Sequence, residues 1–276
     1  MKFASALGAA VLLLALAGSS HAVPPVSSTQ KIDLGKLQGK GFPPSMKVTV
    51  YRAPGAGTRQ PLVLIVPQYG SVIEDGWFAS QADYFTDAGY VVAVPHLTDL
   101  YQDDRQMPAY VGRMRRDLVE DTTPYAVELL APLIALTGPD GPATPQHVVL
   151  GVGYGAIVAA NYAALGPPGC EGLVMISAGF GVRKDLQPEE DDMRDSVDAF
   201  GRLGHKVKLP SLWLNAASNR RISDQTAQQL FAAFHAGSPA ATLRVLPDLG
   251  VDGDWLFSVA TAPAAWQPET GKFLAA

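Results

Sequence analysis

The chain lacks the material for several classes of protein. One cysteine, Cys170, among 276 residues excludes an intrachain disulfide in any redox compartment. A formal net charge of −5 leaves neither a basic footprint for nucleic acid nor a polybasic patch for anionic lipid. The apolar run Ala6 to Ala17 stops short of the roughly 20 residues that span a bilayer. No metal or other cofactor is expected. The segment Asp248 to Asp254 has the outline of a calcium loop. It puts Gly250 at the third loop position, however, and Val259 where the closing glutamate is needed.

Lys2, the run Ala6 to Ala17 and the small residues of Ser20-His21-Ala22 have the layout of a secretory signal peptide, with cleavage expected after Ala22. No twin arginine precedes the run and no cysteine follows it, so neither a Tat signal nor a lipoprotein anchor is indicated. The expected organisation is a signal peptide over 1–22, an N-terminal leader over 23–45 and one α/β domain over 46–276. The location is then periplasmic or secreted, with no membrane span after cleavage.

Within the domain, apolar runs alternate with helical spacing. Met46 to Tyr51, Pro61 to Pro67, Tyr90 to Pro95, Gln146 to Leu150, Gly172 to Ser177, Leu212 to Leu214 and Leu243 to Leu246 read as strands. Helices are expected over Phe78 to Ala88, Tyr125 to Leu136, Ala156 to Leu165 and Ser223 to Ala236. Such alternation implies a mostly parallel sheet with helices on both faces. Two polar stretches, Leu97 to Thr123 and the acidic Lys184 to Ser196, interrupt it and are read as solvated excursions, with a lid as the alternative.

In such a sheet, ligands bind beyond the carboxyl ends of the strands. That rule selects Gln68, Tyr69, His96, Tyr154, Ser177 and Trp255 as pocket-lining candidates, beside Gly153, Asn219 and the loop Gly250 to Asp254. Gly151-Val152-Gly153-Tyr154-Gly155, between a strand and a helix, has the frame of the nucleophile motif Gly-x-Ser-x-Gly. Its centre is glycine, which tolerates a strained turn but carries no attacking oxygen. A dinucleotide site is not indicated. Ala156 meets only the looser form of that fingerprint, and Glu171 precedes its strand instead of following it.

With these residues in place, the chain resembles the α/β-hydrolases of the dienelactone-hydrolase kind, in a secreted bacterial branch. The resemblance runs from about Val48 to the C-terminus and is most specific over Pro210 to Asn219 and Pro247 to Phe257. It implies a degenerate triad: Gly153 for the serine, Asn219 for the aspartate and Asp254 for the histidine. Pro67-Gln68 stands where the oxyanion loop usually reads His-Gly. Loss of the serine or the histidine alone costs such an enzyme about 10⁶-fold.

The expected function is therefore a catalytically inactive hydrolase fold, kept for a small-molecule ligand or a protein partner outside the cytoplasm. One alternative is an active carboxylic-ester or lactone hydrolase using relocated groups such as Ser177 and His96. Another is a structural partner of an active hydrolase, docking through the acidic segment. Structural roles are favoured for His96 and for the Ser177 hydroxyl, the latter satisfying backbone groups. His147 is placed before its strand, His205 on a loop and His235 on a helix. Cys170 is read as a structural thiol, and the three glycines of the elbow as close packing.

Overall fold

The computed structural model describes residues 25–33, 45–67, 78–97, 117–179, 190–217, 219, 222–250 and 263–276. The expected signal peptide lies outside them, as do Gln68, Tyr69, Asp254, Trp255 and most of the two polar stretches.

The strands are β1 (Val26–Asp33), β2 (Ser45–Arg52), β3 (Gln60–Val66), β4 (Val91–Pro95), β5 (Ala143–Val152), β6 (Cys170–Ile176), β7 (Ser211–Ala216) and β8 (Ala241–Leu246). They form one sheet in the order β1-β2-β4-β3-β5-β6-β7-β8. Only β1 with β2 and β2 with β4 are antiparallel; the other neighbours run parallel. Continuous apolar runs become the central strands because both faces are covered: Leu62 to Val66 of β3 is entirely buried. Alternate residues feed two cores, with Leu62, Leu64 and Val66 on one face and Val63 and Ile65 on the other.

Helices α1 (Ala79–Asp87) and α7 (Pro263–Leu274) cover the Val63 face, where Phe85 and Trp266 are buried. The Leu62 face carries α2 (Leu118–Glu128), α3 (Leu130–Thr137), α4 (Tyr154–Ala164), α5 (Glu190–Lys206) and α6 (Asp224–His235). Capping follows residue chemistry. Gly89, at φ 89°, lets the chain leave α1. The Ser223 side chain accepts the Thr226 amide at the start of α6.

Four expectations change. Val26–Asp33, read as leader, is an edge strand of the sheet; only Ile32 of its eight residues is buried, so its sequence shows no core-facing alternation. The single helix expected over Tyr125 to Leu136 is two, divided at Leu129. Pro132 has no N–H to return to Glu128, so an unbroken ladder is impossible there. The end of the first polar stretch is helix α2, and the acidic stretch enters α5 at Glu190. His147 lies within β5 and His205 within α5, not before a strand or on a loop.

Polar cross-links fix the helices that flank the elbow. Asp117 caps α2 by accepting the Val119 and Glu120 amides and is gripped by both terminal nitrogens of Arg202 on α5, at 2.7 and 2.9 Å. Those bonds hold its carboxyl down at about 2. From α4, the Asn161 amide donates to Val119 O and to the Thr122 and Thr123 hydroxyls at 2.8–3.0 Å. The helix behind the elbow is thereby tied to α2.

Candidate functional site at the carboxyl edge of the sheet

Gly153 follows β5 and caps α4 at φ 56°, ψ −121°, a backbone conformation that L side chains rarely adopt. Its amide donates to Ile176 O at 2.9 Å, so the turn stays fastened to β6. The outer glycines serve close packing, as expected. A Cβ on Gly151 would lie 2.4 Å from Gly155 O, and one on Gly155 would lie 2.3 Å from Pro67 O. The sharp turn of a nucleophile elbow is thus built in full, without a nucleophile at its tip.

Asn219, the position that the resemblance assigns to the acid, is part of a turn. Asn219 accepts the Ile222 amide at 3.0 Å and donates to Asn215 Oδ1 at 3.1 Å. Asn215, at the end of β7, passes its own amide on to Asp224 Oδ1 at 3.0 Å. A carboxylate at 219 would meet the Asn215 carbonyl oxygen where the Asn219 amide now donates.

His96 and Ser177 do not form a relocated pair. His96 follows β4 and Ser177 follows β6, with β3 and β5 between them. Three strand spacings separate the two by about 14 Å. His96 Nε2 is engaged by the Thr49 hydroxyl of β2 at 2.7 Å, on the side away from the elbow. It is 7% exposed, so the structural reading of His96 holds. The other described histidines lie at the opposite end of the sheet. His147 is buried within β5 as a neutral ring: Nδ1 donates to Pro145 O and Nε2 accepts from the Tyr162 hydroxyl, both at 2.9 Å. Burial pushes its pKa down. His205 and His235 are exposed in the last turns of α5 and α6, which feed the starts of β7 and β8.

Ser177 departs from its expected role. It is fully buried and has a left-handed φ of 50°, alone among the described residues other than glycine. Its amide still donates to Leu214 O at 2.8 Å. Its hydroxyl, read from sequence as satisfying backbone groups, has no hydrogen-bond partner. Nothing in the sequence announces this, because serine is an unremarkable residue at a strand end.

Tyr154 is half-buried in the first turn of α4 and packs against the Leu62-face core. Cys170 is buried at the opposite end of β6, where desolvation pushes its thiol up to about 12 and makes it inert. Among the described residues, no three His, Cys, Asp or Glu side chains converge on a possible metal position.

No protein-family model matches the chain, and no curated protein matches it in sequence. Solved structures do match in fold. A dienelactone hydrolase from Anabaena variabilis aligns at TM-score 0.63 and 14% identity, over 91% of this chain and 97% of its own. A dienelactone hydrolase-like promiscuous phosphotriesterase from metagenomic libraries aligns at 0.61 and 12%, over 92% and 99%. The Pyrococcus furiosus esterase Pf2001 aligns at 0.59 and 15%, over 91% and 90%. An eight-stranded, mostly parallel sheet, the strained strand-to-helix turn after β5 and these likenesses together give the chain the α/β-hydrolase fold, in its dienelactone-hydrolase-like form.

Proposed function

We propose that the chain is a binding protein built on the α/β-hydrolase fold, exported from the cytoplasm and without serine-type turnover. The observation that carries this reading is Gly153, which holds the elbow backbone at φ 56° where an attacking side chain would stand. The surroundings agree with it. Asn219 is spent on a turn, and none of the described histidines reaches the elbow. An oxyanion hole and binding alone leave roughly 10³–10⁴-fold over water, far below a working esterase. The sequence of the first 22 residues supports export.

A second reading, an active ester or lactone hydrolase, is favoured by one feature: the strained, unpartnered Ser177 hydroxyl. The solved structures of this fold include proteins named as dienelactone hydrolases and as an esterase. Treating the purified protein with a fluorophosphonate and assaying 4-nitrophenyl acetate separates the two. The binding reading expects no adduct and no turnover above buffer. An adduct mapped to Ser177, with turnover abolished in Ser177→Ala, would replace it with the second.

A further inference from the structure

Strand β1 closes one end of the sheet, and among the described residues no strand lies beyond it. An antiparallel strand turns alternate N–H and C=O groups away from its partner, so a row of β1 donors and acceptors points off the sheet. Such edges are ordinarily kept from pairing by a very short strand, a proline, a bulge or several lysines. β1 has none of these guards in strength. It spans eight residues without proline, keeps an unbroken register with β2 and carries one lysine, Lys31. Residues 26–31 are all exposed, so neither face of the strand lies beneath a helix there.

This edge also matches itself when reversed. In an antiparallel pair of two β1 strands centred on Thr29, Val26 stands opposite Ile32, Ser27 opposite Lys31 and Ser28 opposite Gln30, while Thr29 meets its own copy. Val26, Ser28, Gln30 and Ile32 share the Leu62 face, as the β2 partners Met46, Val48 and Val50 do. The two aliphatic residues of the strand therefore meet on one face, and two threonines meet at the centre; both kinds of cross-strand pair are favourable. Other registers match less well. Centring on Ser28 sets Val26 against Gln30 and leaves Ile32 without a β1 residue opposite; centring on Gln30 sets Ile32 against Ser28 and leaves Val26 so. Centring on Lys31 opposes two like charges in a row that already includes Lys47. Val26 is 61% exposed in the single chain, and Ile134 of α3, which packs against β1 on the same face, is 63% exposed. No other described large hydrophobic residue is as open to water.

We infer that β1 is a self-association edge: two copies of the chain pair β1 to β1, antiparallel across a twofold axis at Thr29, and join their eight-stranded sheets into one. The contact uses the same strand of both copies and consumes the edge it employs, so assembly stops at a dimer. One strand a side, with the helix beside it, buries less than the roughly 1,200 Å² of a stable interface. The dimer is accordingly weak, forming in the micromolar range.

The test is sedimentation velocity of the purified protein over a concentration series, with variants at the axis. Thr29 is exposed, and its side-chain contact within the chain is a 3.4 Å approach to the Thr49 hydroxyl, so the single chain tolerates a change there. The unaltered protein should pass from monomer to dimer with rising concentration and go no further. Thr29→Lys sets two ammonium groups face to face, and Thr29→Glu two carboxylates; each should weaken the dimer about tenfold. Mixed in equal amounts, the two variants should associate again at least as tightly as the unaltered protein, because the axis then joins opposite charges. Hydrogen exchange of the unaltered protein needs no substitution: β1 amides should exchange more slowly as concentration rises. A dimer indifferent to both charges, a mixture no tighter than its components, or β1 exchange independent of concentration would each overturn the pairing. A monomer at every concentration would overturn it too, and would leave this edge to a foreign strand.

Discussion

His96 Nε2 and the Thr49 hydroxyl lie 2.7 Å apart, joining the end of β4 to β2 on the far side of the sheet from the elbow. The bond names the partner of a histidine whose position in the sequence already favours a structural role. Thr49→Val keeps the shape of the side chain but leaves a buried ring nitrogen without this partner. A loss of about 1–2 kcal/mol in urea denaturation is expected.

The elbow glycines should differ sharply in what they tolerate. Gly151→Ala and Gly155→Ala each drive a Cβ to within 2.4 Å of a backbone oxygen, and neither neighbour is a flexible side chain. Losses above about 3 kcal/mol, or failure to fold, are expected. Gly153→Ser incurs the left-handed backbone cost, about 1–3 kcal/mol, and should not create esterase activity. Chemical denaturation of the three variants side by side checks the ranking.

An aspartate at position 219 should also have a cost. Asn219→Asp turns a donor into a carboxylate facing Asn215 Oδ1, and breaks the chain that runs on to Asp224. A loss of about 1–2 kcal/mol at pH 7 is expected, and pairing it with Asn215→Ala should give less than the sum of the two losses.

Two buried groups set opposite pH slopes. Glu128 is buried with both carboxyl oxygens unpartnered, and desolvation pushes it up from 4.5 to about 7. The folded chain therefore prefers the neutral acid. Its contribution is complete below pH 4.5 and lost as the pH rises through 7. Glu128→Gln should stabilise the protein by on the order of 2–3 kcal/mol at pH 8 and leave pH 4 nearly unchanged. His147 works in reverse: its lowered pKa means stability is complete above 6.5 and lost as the pH falls below that value. Urea midpoints from pH 4 to 8 should show the alkaline slope flattened in Glu128→Gln and the acid slope retained.

The ion pair between Asp117 and Arg202 is partly exposed, so its contribution is modest despite good geometry. Arg202→Ala should bring Asp117 back up from about 2 toward the ordinary carboxylate range. The accompanying loss, about 1 kcal/mol at low salt, should shrink as salt is added.

How much of this was legible in the sequence follows from what each residue reports locally. The run Leu62 to Val66 can only be a strand covered on both faces, and Gly89 and Ser223 mark helix ends through their own chemistry. The triple-glycine turn was placed correctly because its spacing is a direct image of its geometry. β1 was missed because an exposed edge strand needs no apolar alternation. The division of α2 from α3 falls at Leu129, where Pro132 leaves the Glu128 carbonyl without its helical donor, and the apolar spacing runs on across it. Ser177 was misread for a different reason. Its backbone angle and its solitary hydroxyl are set by β5, β6 and β7 together, and no window of sequence contains all three.

The two outer glycines of the elbow, pressed against carbonyls of neighbouring backbone, bear the architectural demand of this turn, while the middle position holds a torsion that glycine adopts freely. Reactivity at that spot can thus be surrendered by a single codon change, with the close-packed frame of the turn left as it was. A lineage can retire the chemistry of such a domain and keep its shape for other work.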